Sequence, residues 1–142
     1  MQTAWGVVVV GLSVLAWGGQ VLAWLAPRTA VRLGLMEAEE DVDAAFWADV
    51  RGEAAWDALT LWTMVVAGAL LVADVDTWAQ FGLLGGGVYV YFAGRGLLVR
   101  RSLLRHRVRI GPPASVRTAS VFLGISGAMG LVTIGFAAGA LS

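Results

Sequence analysis

The chain has 142 residues, of which 58% are apolar and 14% are charged. In soluble domains roughly 45–50% of the residues are apolar and about 25% are charged. Ten basic and ten acidic residues give a net charge of zero, and cysteine is absent. The missing cysteine excludes disulfides, thiolate nucleophiles and iron–sulfur clusters. Nucleic acid is an unfavourable partner, because the short basic segment faces an acidic one and contains no Phe, Trp or Tyr. The composition instead indicates a membrane protein.

Long apolar stretches divide the sequence and predict four transmembrane helices. They cover residues 4–26, 55–75, 77–99 and 118–141. Each stretch is long enough to cross a hydrocarbon core about 30 Å thick. The expected fold class is all-α, an integral membrane four-helix bundle made of two antiparallel transmembrane hairpins, with residues 1–142 forming a single domain. Its two long linkers are residues 27–54 and 100–117.

All ten basic residues are arginines, and all of them can lie on one side of a membrane. They fall in the two linkers or just inside the third span: Arg28, Arg32, Arg51, Arg95, Arg100, Arg101, Arg105, Arg107, Arg109 and Arg117. The other side receives both termini and the acidic turn at Asp74–Asp76. Because loops rich in arginine stay cytoplasmic, the pattern predicts a multi-pass protein of the cytoplasmic (inner) membrane, N-out and C-out.

One pair of opposite charges is predicted inside the second and third spans. Asp57 and Arg95 each lie 19 residues from Asp76 in the turn, and antiparallel helices of equal rise place them at the same depth. A charge inside the hydrocarbon is unfavourable, and an opposite charge at the same height relieves it. We therefore expect a salt bridge between the two side chains near the cytoplasmic boundary.

An acidic stripe leads to this pair from the first linker. Asp49, Glu53 and Asp57 recur every fourth residue, so a continuous helix would place them on one face that continues inward past Thr60. Three interpretations stay open: a ladder of ion pairs with arginines of the neighbouring helix, an entrance for cations, or a divalent-metal site. The candidate site comprises Asp49, Glu53, Asp57, Thr60 and Arg95.

Small residues four positions apart indicate faces on which helices approach closely in lipid. The third span carries such a pair, and the fourth span repeats the spacing. The candidate packing face comprises Gly82, Gly86, Gly124, Ala128, Gly135 and Gly139. Such a face either packs the helices of one chain together or joins one protomer to another, and both interpretations stay open.

The two linkers carry opposite charges on the same predicted side. Residues 37–53 are acidic and residues 100–109 are basic, so we expect the two segments to dock as a charged cap. The alternative is that the basic segment binds anionic lipid head groups through Arg100, Arg101 and Arg105. Residues 44–53 predict a helix whose apolar side, with Phe46 and Trp47, can lie on the membrane surface.

The sequence favours a small non-catalytic membrane protein. No Ser/His/Asp arrangement, HExxH motif or cofactor fingerprint occurs, and His106, the single histidine, lies among arginines that disfavour a bound cation. We therefore expect no enzyme activity, cofactor or resident metal. The first hypothesis is an accessory subunit that self-associates or joins another membrane protein. The alternatives are a small oligomeric channel or transporter with a polar site around Asp57 and Arg95 and, as a minority view, a membrane enzyme acting on lipid.

Overall fold

The computed structural model describes residues 2–142 and is helical over almost all of that range. The helices are α1 (Gln2–Leu25), α2 (Pro27–Arg32), α3 (Ala44–Thr60), α4 (Trp62–Val72), α5 (Trp78–Arg105) and α6 (Pro113–Leu141), with a 3₁₀ turn at Glu39–Asp41. α3 and α4 follow each other as one rod of 29 residues, so this range holds four helices long and apolar enough to cross a membrane. The four expected apolar helices are confirmed.

Three of the long helices extend beyond their apolar spans on the side where the linkers lie, and one of them, α6, begins at Pro113 instead of residue 118. The second begins at Ala44, well before residue 55, and the third continues to Arg105. These extra turns carry charged residues, because charge is tolerated beyond the hydrocarbon but not within it. α1 ends sooner, since Pro27 cannot continue its hydrogen-bond ladder and instead begins α2.

The long helices pack in the order α1, α3–α4, α5 and α6 around an apolar core. α5 lies between α4 and α6, and α1 contacts both α3 and α4. Trp5 meets Phe136 edge to face, with ring centroids 5.9 Å apart, and both side chains lie near Leu71 and Trp78 beside the turn from α4 to α5. We name this the hairpin end of the bundle, and the opposite end, which holds both linkers, the linker end.

Glycines bring α5 into backbone contact with both of its neighbours. A Cβ added to Gly85 would lie 2.9 Å from both the Cα and the amide nitrogen of Met64 in α4. A Cβ added to Gly86 would lie 2.9 Å from the carbonyl oxygen of Gly130 in α6, and Gly82 is also buried against α6. Gly82 and Gly86 therefore pack helices within the chain.

The remaining residues of the candidate packing face point away from the bundle. All four are exposed, and the three glycines among them have no atom within 4 Å of an added Cβ: Gly124, Ala128, Gly135 and Gly139. The buried face of α6 uses a different row of small residues: Ser126, Gly130, Thr133 and Ala137. The six residues therefore do not form one face. Small residues occupy both sides of α6, so a four-residue spacing does not reveal which side meets α5.

The helix expected at residues 44–53 is present as the first part of α3, but its apolar side packs against the protein and not on the membrane surface. Phe46 is only 2% exposed and forms an apolar cluster with Val42 and Ile110. Trp47 and Val50 border the same cluster and also pack against α1. The helix continues directly into α4, and α1 and the second linker cover the apolar side that would otherwise need lipid.

Alanine at Gly85 should destabilise the bundle, whereas alanine at Gly87 should not. The new methyl group at position 85 would meet backbone atoms of Met64 that cannot move aside, and overpacking of this kind costs about 1–3 kcal/mol. Position 87 is open, with nothing within 4 Å, and alanine is the better helix former. Thermal unfolding of both variants in detergent tests the contact. Equal melting temperatures for Gly85→Ala and Gly87→Ala would contradict it.

Candidate functional site

The guanidinium of Arg95 in α5 lies between two carboxylates of α3. Its Nη2 is 2.9 Å from Oδ1 of Asp49, and its Nη1 is 2.6 Å from Oε1 of Glu53. The side chain of Arg95 is 29% exposed and that of Glu53 only 12%, so solvent screens this pair less than a surface pair. The structure thus brings three members of the candidate site together and makes one arginine the partner of two acids.

Asp57 does not pair with Arg95, and that expectation is wrong. No basic side chain in residues 2–142 lies within 4.0 Å of its carboxylate, although Asp57 is only 3% exposed. Its Oδ2 atom is buried without a hydrogen-bond partner. Equal sequence distance from the turn sets only the depth of the two backbones. A guanidinium lies at the end of a long side chain that extends toward water. Arg95 therefore meets Glu53 and Asp49, one and two turns nearer the linker end.

The wider ladder of ion pairs is absent in the described range. Arg100, Arg101 and Arg105 have no carboxylate within 4.0 Å in residues 2–142. Arg100 instead donates from Nη1 to the Gly96 carbonyl at 3.4 Å, and its guanidinium lies 5.8 Å from the ring centroid of Phe46. Arg95 is thus shared by the two outer acids of the stripe, and the innermost acid has no ion pair.

Two aromatic side chains with polar tips, the half-buried Trp17 and the buried Tyr89, lie near the inner end of the stripe. Trp17 donates from Nε1 to the Ala58 carbonyl at 2.8 Å, beside Asp57. The Tyr89 hydroxyl donates to the Ser13 carbonyl at 3.3 Å, and both residues are 0% exposed. Sequence reasoning did not include Trp17 or Tyr89 in the site. The signal available was their placement within apolar spans, where an indole N–H or phenol O–H needs a partner.

Thr60 does not extend the stripe, because its side chain turns back onto its own helix. Its Oγ1 donates to the Trp56 carbonyl at 2.9 Å. The Thr60 carbonyl accepts from Oγ1 of Thr63 at 2.8 Å, while the Met64 amide donates to Leu61 at 3.3 Å. This is a local break in the regular ladder between α3 and α4.

Leu61 closes the acidic stripe from the hairpin side. It lies one turn beyond Asp57 on the same face of the helix and is 0% exposed. No group of three or more His, Cys, Asp or Glu side chains within residues 2–142 is arranged to hold a metal ion. His106 is exposed, with its Nδ1 2.8 Å from the Ser102 carbonyl. The stripe therefore leads from water to a single buried carboxylate and stops there.

The two linkers dock on each other through what we name the linker clasp, formed by Val42 and Asp43 with Arg109 and Ile110. Val42 and Ile110 form an isolated antiparallel bridge, and the Asp43 amide donates to the Arg109 carbonyl at 2.9 Å. Arg109 returns two bonds to the Asp43 carboxylate, from its amide at 2.8 Å and from Nε at 3.2 Å. The two linkers contact each other as expected, but the expected charged cap is wrong, because within residues 2–142 a single ion pair, backbone bonds and apolar contacts join them.

Acid should open the linker clasp. The Arg109 amide, and then its guanidinium, hold the pKa of Asp43 below its ordinary value of 3.8. Because the folded-state pKa is lowered, the contribution is fully present above the ordinary pKa and is lost as pH falls through the lowered one. The melting temperature of Asp43→Asn should therefore lie below wild type at about pH 6, and the difference should shrink as the pH falls below 3.8.

The matched control for this prediction is Asp41→Asn, which removes an exposed acid that has no ion pair in the described range. That variant should follow wild type at every pH. A difference between Asp43→Asn and wild type that stays constant from neutral to acid pH would show that the ion pair does not hold the clasp.

Comparisons with known proteins provide no relative from which a role can be carried over. No protein family, no curated protein and no solved structure matches the chain. Its function is therefore inferred from the contacts, burial and charge of its own residues, above all from the outward face of α6 and from the buried acid in α3.

Proposed function

We propose that this protein is a non-catalytic subunit of a membrane complex that associates with copies of itself or with another membrane protein. The observation that carries the proposal is the outward face of α6. Small residues recur along its length and face open space: Gly124, Ala128, Gly135 and Gly139. In lipid, helices associate mainly through close packing, and small residues allow their backbones to approach.

The outward face is not needed for packing within the chain. α6 already contacts α5 through its other row of small residues, where a Cβ on Gly130 would lie 2.8 Å from the Gly86 carbonyl oxygen. Leu131 stands in the middle of the outward face and is 62% exposed. A leucine flanked by small residues, here Ala128 and Gly135, on one helix matches the recess that the same pattern forms on a second helix, which favours self-association.

The proposed setting is the cytoplasmic membrane, with both termini outside and both linkers inside. All ten arginines lie at or near the linker end, whereas the hairpin end has none. The linker clasp and the Arg95 ion pairs lie at that same end. A basic end that stays cytoplasmic follows from the rule that governs membrane insertion.

Isoleucine at Gly135 should dissociate the assembly, because it fills the recess on the outward face of α6 without touching a neighbour in the same chain. Isoleucine at Gly87 is the matched control, since that glycine is also exposed and open but lies on α5. Native mass measurement in lipid-like detergent should show oligomer or complex for wild type and Gly87→Ile, and single chains for Gly135→Ile. Single chains in wild type, with nothing co-purifying, would refute the proposal.

A second candidate function is a small oligomeric transporter with its polar site around Asp57 and Arg95. The burial of the stripe favours it, because the side chains of Asp49 and Glu53 are 37% and 12% exposed and the whole Asp57 residue is only 3% exposed. A buried carboxylate oxygen without a partner is the kind of group that binds a proton or cation within a span. Passage beyond Leu61 requires movement, and the irregular turn at Thr60–Met64 is where the helix can yield.

The Asp57→Asn variant distinguishes the transporter hypothesis from a purely structural role of the protein. It removes an unpaired buried charge, so we expect a higher melting temperature, by the equivalent of about 1 kcal/mol or more. Asp49→Asn, which removes the negative charge from the bond to Arg95, should instead lower it. If Asp57 carries cations, its variant also loses flux in proteoliposomes loaded with a cation-sensitive dye. A lower melting temperature for Asp57→Asn would mean that the carboxylate stabilises the fold.

A further inference from the structure

A groove opens at the linker end between the last turns of α5 and the first turns of α6, with a volume of about 760 Å³. One part of its wall is basic, formed by Arg100, Arg101 and Arg105. The rest is mainly apolar, formed by Leu97, Leu98, Leu104 and Val116. The size falls within the range of about 300–1,000 Å³ that is usual for sites of small ligands.

The positive charge of this groove is not neutralised by the chain. None of the three arginines has a carboxylate within 4.0 Å in residues 2–142. Three of the acids near α5 and the second linker are engaged elsewhere, Asp49 and Glu53 by Arg95 and Asp43 by Arg109. Arg100 is partly turned toward Phe46, so Arg101 and Arg105, one turn apart and both exposed, present the free charge.

The apolar wall shows which anion fits. Leu98 is 68% exposed and Leu104 is 51% exposed, and they lie on α5 beside the arginines, where the apolar span gives way to the charged turns. A soluble phosphate would leave these leucines in contact with water, whereas an acyl chain would cover them. Guanidinium groups bind phosphate through two parallel hydrogen bonds. The groove therefore combines a phosphate-binding edge with an acyl-binding wall.

We propose that this groove is a binding site for one anionic phospholipid of the leaflet at the linker end. Its phosphate and anionic head group are held by Arg101 and Arg105, and an acyl chain lies along Leu98 and Leu104. The proposal does not rest on the assembly through α6 or on transport by Asp57, because neither the outward small residues of α6 nor the acids of the stripe line the groove.

The test is native mass spectrometry of the delipidated full chain, titrated with phosphatidylglycerol or with phosphatidylcholine of the same acyl chains. Wild type should bind a first phosphatidylglycerol in preference to phosphatidylcholine. The double variant Arg101→Gln/Arg105→Gln should weaken that first binding roughly 30-fold, from about tenfold per 1.4 kcal/mol and the usual strength of an interfacial arginine. Arg28→Gln/Arg32→Gln removes the same charge from exposed positions of α2 and should leave it within about twofold.

Two further measurements distinguish binding in the groove from attraction by charge alone. Ser120→Phe narrows the groove from the α6 side and keeps every arginine, so it should also weaken the first binding. Inorganic phosphate at millimolar concentration should not displace the lipid. Equal binding of the two lipids, an equal loss in both arginine variants, full binding to Ser120→Phe, or displacement by phosphate would each overturn the proposal.

Discussion

Backbone contact at glycines holds α5 against both of its neighbours, and the rest of the molecule depends on that contact. Gly85 lies against Met64 on one side and Gly86 against Gly130 on the other. Adjacent glycines on a helix point in directions about 100° apart, so two neighbouring residues serve two different helices. The rotation of α5 that results directs Arg95 toward α3 and leaves Arg101 and Arg105 facing outward.

That rotation also explains the unequal treatment of the three acids on α3. The single guanidinium that reaches them is shared by Asp49 and Glu53, at 2.9 and 2.6 Å. Neither of its terminal nitrogens pairs with Asp57. A buried carboxylate left unpaired lowers the stability of the fold, and a chain selected for stability alone would place an apolar residue there. The bundle is arranged so that Asp57 lies deep, close to the Tyr89 core, yet on the same face as acids that reach water.

Much of this arrangement is readable from the sequence, and the failures have physical causes. Apolar length and arginine placement predict the four helices and the common end of the linkers, because both follow from the cost of charge in hydrocarbon. The partner of Arg95 is not predictable from depth, because the guanidinium lies far from its own backbone. The inward face of α6 is not predictable from spacing, because Gly124 and Gly130 are both small. The linker clasp was expected from charge, but Val42 and Ile110 contribute contacts that charge patterns do not reveal.

The linker clasp and the Arg95 ion pairs have a consequence for the order in which the chain is made. The ribosome releases α3 and its three acids long before Arg95, and Val42 long before Ile110. The first hairpin therefore enters the bilayer before its carboxylates have an arginine partner and before Val42 has Ile110 to pack against. Only when the second hairpin has been made can the acids meet Arg95 and Val42 meet Ile110. The contacts between the two halves of the chain therefore form late in synthesis. If the two halves were expressed separately, the acids of α3 in the first half and Arg95 in the second would each lack a partner of opposite charge.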